Sequence, residues 1–203
     1  ANQAKAAVAS FLENGTREGD RVTLISSAGG VWWTARMEAG RPKLVDMVKR
    51  FDGRYIPDTS RERMSDYEAL RIHIYHDPQV IERVMRRYEQ YGVTALQRQS
   101  DSSSSMSGTM DDPYVTGRAS EVYYMALTRL RTTLDALERA LNGLAGAKGR
   151  KSVILVSEGF IHDINVDEFK RVNEASRRAN AAIYFLNARG LEGMPVYMTA
   201  EFG

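Results

Sequence analysis

Two short apolar runs near the carboxyl end do most to limit the fold. SVILVSEG (152–159) and AAIYFLNARG (181–190) each read as a buried strand, and VDEFKRVNEASRRAN (166–180) lies between them. That middle segment places Val166, Phe169, Val172 and Ala175 every three residues, which sets them along one side of a helix. Strand, helix, strand at this separation predicts a right-handed βαβ unit, with Val153–Val156 and Ala182–Leu186 side by side and parallel. A wholly apolar strand is expected at the centre of a sheet, covered on both faces.

The rest of the chain supplies partners for such a sheet. AKAAVASFLENG spaces Ala4, Ala7, Val8, Phe11 and Leu12 as a helix that Gly15 stops. GDRVTLISSAGGVWWTARM predicts a hairpin of strands 22–26 and 31–36. GRPKLVDMVKRFDG predicts a helix with Leu44, Met47, Val48 and Phe51 on one face. From about 53 to 116 the character changes. SDYEALRIHIYHDPQVIERVMRRYEQYG reads as two helices meeting at Asp77–Pro78, with stripes of Tyr67, Leu70 and Ile74, then Ile81, Val84, Met85 and Tyr88. A Ser-rich polar tract follows. A long helix then runs from about Arg118 to Leu144 on a repeat of Ala, Val and Leu.

The expected architecture is α/β: a mostly parallel sheet with the hairpin at its edge and a helical insertion at about 53–116. In such sheets ligands collect beyond the carboxyl ends of the strands. Those ends carry Ser26 and Ser27, Ser157 and Glu158, and Asn187 and Arg189.

Composition narrows the function classes. The 203 residues are 43% hydrophobic, enough for one core, and 28 Lys+Arg against 26 Asp+Glu leave a net charge of +2. A chain so balanced is not built around bulk attraction to nucleic acid or an anionic membrane. No run approaches the ~20 apolar residues of a membrane span. Cysteine is absent, which excludes disulfides and thiolate metal sites without fixing the compartment.

The order of parts, carried by FLENG, GDRVTLISSAGG, GRKSVILVSEGF and AAIYFLNARGL over most of residues 1–190, resembles the von Willebrand factor type A domain. The nearest branch is the VWFA-related one abundant in Acidobacteria, in which an insertion like MSDYEALRIHIYHDPQVIERVMRRY sits in mid-domain. The resemblance implies a three-layer, doubly wound, Rossmann-like fold and a secreted or periplasmic, non-catalytic module of bacterial origin. It would bind a protein partner at the top of the sheet, with Ser26, Ser27, Ser157, Asn187 and Arg189 on that rim. It also implies a divalent-cation site of the Mg²⁺ type, built from a D-x-S-x-S loop after the first strand, a later Thr and an Asp after the fourth strand.

Here the chain departs from that pattern. Its first helix is under way at Ala4, so the first strand and its ligand loop are missing ahead of it, and Glu158 stands where the last Asp is expected. Thr116 is the candidate for the Thr. Two such oxygens cannot hold a hard cation that takes about six, so the site reads as degenerate or incomplete in this chain. The reading expects a longer polypeptide, or a sheet whose gap admits a second copy.

DSSSSM (101–106) does satisfy D-x-S-x-S through Asp101, Ser103 and Ser105. The preceding ALQRQS is too hydrophilic to be the sheet strand that such a loop needs, so the match reads as a decoy in a solvated tract. Ser157-Glu158-Gly159 half-resembles a nucleophile elbow, and an α/β hydrolase or nucleotide-binding enzyme using that loop is the competing class. Leu155 replaces the first Gly of the elbow, and His162 is too close in the same loop to act as base. GLAGAKGRKS leads into a strand rather than a helix, which excludes a phosphate loop. His73 and His76 lack zinc spacing and read as surface histidines. Arg83, Arg86 and Arg87 alternate with Glu82 and Glu89 as a solvated helix face. Trp32 and Trp33 are adjacent in a strand, so one points away from the core.

Overall fold

The computed structural model describes residues 2–27, 32–51, 60, 63–92, 112–161 and 166–188. The chain is mixed α/β. Its elements in order are α1 (Asn2–Asn14), β1 (Arg21–Ile25), β2 (Trp32–Arg36), α2 (Arg41–Arg50), α3 (Asp66–His73), α4 (Pro78–Gln90), α5 (Pro113–Leu144), β3 (Lys151–Ser157), α6 (Glu168–Ala179) and β4 (Ala181–Asn187). They fall into two compact units. One comprises 1–54, 132–159 and 165–203; the other comprises 55–131 and 160–164.

In the first unit, β1 and β2 form the expected antiparallel hairpin, with Leu24 opposite Trp33 and Val22 opposite Ala35. Val22, Leu24 and Trp33 pack on a core of Ala9 and Leu12 from α1, Leu44, Val45 and Val48 from α2, and Met37 just after β2. Trp33 is therefore the inward member of its pair. On α1 the buried residues are Ala4, Ala9 and Leu12, while Ala7 and Phe11 face out. On α2, Val45 takes the inward place expected of Met47 and Phe51. Gly40, the residue before α2, is buried against the hairpin, and a Cβ there would lie 2.3 Å from the Cβ of Ala35. Only glycine lets the helix start so close to the strand.

β3 and β4 pair in parallel from Lys151↔Ala181 to Ser157↔Asn187, with α6 between them in sequence. Asn180 turns the chain from α6 into β4 in the left-handed region, at φ 48°. Its carbonyl accepts from the Lys151 N–H at 3.0 Å. Val166, Val172, Ala175 and Ala179 are buried along α6, as are Leu130, Leu134, Leu137 and Leu141 along α5.

Two expectations about the sheet are corrected. Among the described residues the strands form two separate two-stranded sheets, not one. β3 is not covered on both faces: burial alternates along it, and Ser152, Ile154 and Val156 are exposed. The physical reason is that the face carrying Ser152, Ile154 and Val156 is left open to solvent. Three-layer winding is accordingly not part of what these elements show.

The second unit is helical. α3 and α4 meet at Asp77–Pro78, as the sequence predicts. Asp77 caps α4 by accepting from the N–H groups of Gln79 (3.1 Å) and Val80 (3.3 Å). Leu70, Ile72, Val80, Ile81, Val84 and Tyr88 are buried, together with Val115, Ala119, Val122 and Tyr123 of α5. Tyr67 is exposed, contrary to its place in the predicted stripe, and Glu68 is buried instead. α5 begins at Pro113 rather than near Arg118, because Asp112 accepts from the Tyr114 N–H at 2.8 Å and Pro113 fits the first turn.

Candidate functional site

The backbone ladder of β3 and β4 decides where their rim residues go. Both strands end together, so Ser157 and Asn187 are register partners at the carboxyl end of the parallel pair. The Ser157 carbonyl accepts from the Ala188 N–H at 2.8 Å, which carries the pairing one residue past β4. Asn187 is exposed, and Ser157 and Glu158 are half-buried. Gly159 follows at φ 108°, a conformation only glycine adopts without strain, and turns the chain away from the strand end. The result is a small polar ledge of one hydroxyl, one amide and one carboxylate.

Ser26 and Ser27 follow β1, at the end of the hairpin sheet, with Ser26 half-buried and Ser27 exposed. Arg189 lies outside the described residues, as do Asp101, Ser103, Ser105 and His162. Thr116 is in the first turn of α5, and its hydroxyl donates to the carbonyls of Asp112 and Pro113, both at 3.2 Å. Thr116 belongs to the helical unit and Glu158 to the other. Among the described residues no group of three or more His, Asp or Glu is placed to hold a metal ion.

Sequence reading missed two polar clusters in the helical unit. The first centres on Glu68, whose carboxylate is 5% exposed and takes both terminal nitrogens of Arg87, at 2.8 and 3.0 Å. It also accepts from the Ser65 N–H at 2.9 Å, while the Ser65 hydroxyl accepts from the Glu68 N–H at 3.2 Å. Ser65-x-x-Glu68 is a capping box, and that motif was visible in the sequence. Burial pushes the Glu68 carboxyl up, but the hydrogen bonds and charge of Arg87, with those of Ser65, outweigh it and hold the group below its ordinary range. Nearby, Tyr88 packs on Tyr114 with ring centroids 5.8 Å apart. Burial raises its hydroxyl to about 12. This cluster is built for folding rather than chemistry.

The second cluster corrects the reading of His73 as a surface residue. Its ring lies 4.9 Å from that of Tyr123 and 5.2 Å from that of Tyr124, and its Nδ1 is 2.9 Å from the Ser120 hydroxyl. A Ser–His pair invites a nucleophile reading. Ser120, however, also donates to the Thr116 carbonyl at 3.1 Å and sits inside α5, where the helix occupies its own amides. No donor pair is available there for an oxyanion, so the pair ties α3 to α5. Beside it, Glu121, Tyr124, Met125, Thr128 and Arg129 line a shallow groove of about 560 Å³.

No family model, curated protein or solved structure matches this chain. Among the described residues no helix is long and apolar enough to cross a membrane.

Proposed function

We propose that the chain is a protein-binding module of the von Willebrand factor A type, without catalysis. It would work outside the cytoplasm, with the rim of a doubly wound sheet facing its partner. The single observation that supports this reading is the parallel β3–α6–β4 unit, which sets Ser157 beside Asn187 at the carboxyl ends of its strands. That is where open α/β sheets place their ligand contacts. Among the described residues the ledge offers a hydroxyl, an amide and a carboxylate with no histidine beside them, which suits recognition better than turnover. Ser26 and Ser27, at the end of β1, would add further polar contacts.

The test is photo-crosslinking from a reactive amino acid placed at Asn187 and, as control, at Lys170 on α6, followed by binding of the purified partner. The reading expects a saturable partner crosslinked from Asn187 only, whose affinity falls about tenfold when Ser157→Trp fills the ledge. Titration with Mg²⁺ or Mn²⁺ by calorimetry then decides whether a cation takes part. Turnover of ester or nucleotide substrates that disappears in Ser157→Ala would overturn the proposal in favour of an enzyme.

A further inference from the structure

The ladder of β3 also fixes which of its backbone groups are unused. In a parallel strand, the N–H and C=O of one residue point to the same side. Lys151 donates to Asn180 and Ser157 accepts from Ala188, so the odd-numbered residues of β3 face β4. The N–H and C=O groups of Ser152, Ile154 and Val156 therefore point to the opposite edge, where they have no partner among the described residues. The side chains of these same residues line the exposed face, with Ile154 at 37% and Val156 at 43%. Tyr184, the register partner of Ile154, continues that face at 55% exposure. On the far edge of β4, by contrast, the Ala181 carbonyl already accepts from the Ser176 hydroxyl at 2.6 Å. An edge that no described strand covers, without proline and beside apolar side chains, is a template for another strand.

The charges at the two ends of β3 identify that strand. Arg150 precedes it and Glu158 follows it. We propose that the edge pairs antiparallel with β3 of a second copy, about a twofold axis through Ile154. Only residues whose amides point outward can form the hydrogen-bonded pairs. This sets Ile154 opposite Ile154 of the second copy and Ser152 opposite Val156, with roughly six ladder hydrogen bonds in all. The same register puts Arg150 opposite Glu158 of the second copy, twice. A parallel arrangement would set like charges together. The joined sheet has the order β4-β3-β3-β4 and carries Tyr184, Ile154, Ile154 and Tyr184 as one apolar row. This surface shares only Glu158 with the rim ledge, and its failure would leave the rim proposal standing.

The chain has no cysteine, so a single introduced thiol reports the register. The proposal expects the wild-type chain to sediment as a concentration-dependent dimer. Under oxidation Ile154→Cys should give a disulfide-linked dimer, and Val156→Cys, facing Ser152, should not. Arg150→Glu or Glu158→Arg alone should weaken the dimer about tenfold, and the two together should restore it. Ile154→Pro removes an N–H that β4 does not use, so it should fold, by circular dichroism, yet sediment as a monomer. A wild-type chain that stays monomeric at roughly 100 μM overturns the proposal. So does a dimer that survives both single charge reversals and crosslinks equally from position 156.

Discussion

At the scale of the residue, Glu68 has the clearest energetic consequence. It is a nearly buried carboxylate whose charge is matched by one guanidinium and by a helix amide. Removing one partner of such a pair leaves the other charge stranded, at a cost of about 3 kcal/mol. Glu68→Gln is therefore expected to lower the denaturant midpoint at pH 7 with little change in slope. The sign of the pH dependence follows from the direction of the shift. The folded-state value lies below the unfolded one, so the stabilisation is complete above the ordinary carboxylate range and is lost as pH falls through the lowered value. Acid titration should destabilise the wild type more steeply than Glu68→Gln, measured by fluorescence or circular dichroism. The cap half of this site was legible as Ser65-x-x-Glu68. The Arg87 half was not, because the two residues meet across α3 and α4 and no local spacing encodes that meeting. For the same reason Glu68 was passed over for the core in favour of Tyr67, which is more apolar but faces outward.

At the scale of the element, two Asp-Pro pairs govern where helices begin. Asp77–Pro78 starts α4 and Asp112–Pro113 starts α5, each Asp accepting from amides of the first turn. The first was read from sequence. The second was hidden by the polar, Ser-rich tract before it, so the helix was started at the first run of regular apolar spacing. Asp112→Ala is expected to cost about 1 kcal/mol. It should raise amide exchange at Tyr114–Thr116 while leaving Leu134–Leu141 unchanged. The strands tell a complementary story. Their direction and pairing were legible from short apolar runs around an amphipathic helix. Their burial was not, since an apolar strand reads the same whether one face or both are covered. Only what packs over each face distinguishes the cases.

At the scale of the whole molecule, the exposed face of β3 and β4 sets the solution behaviour. A net charge of +2 gives little repulsion between copies, so apolar faces can meet. Tyr184→Lys adds a charge on that face but lies on β4, away from the open edge of β3. It is expected to reduce light scattering at high protein concentration without altering far-UV circular dichroism. The fold class was legible because α/β alternation is a property of the chain as a whole. The winding of a single three-layer sheet was expected from resemblance, and the strands described here form two short ladders instead.

The left-handed turn at Asn180 has a consequence for how this chain can tolerate insertions and deletions. Its carbonyl receives the first ladder bond of β3, so the turn clamps the frame in which β4 is laid down. One amino acid inserted between Asn180 and Ala181 would invert β4. Tyr184 and Phe185, each about half exposed on opposite faces, would exchange faces, and Asn187 would cease to be the register partner of Ser157. Two inserted amino acids would keep the faces and lose only the alignment of the ends. Length changes at this junction are therefore graded by parity, not by size.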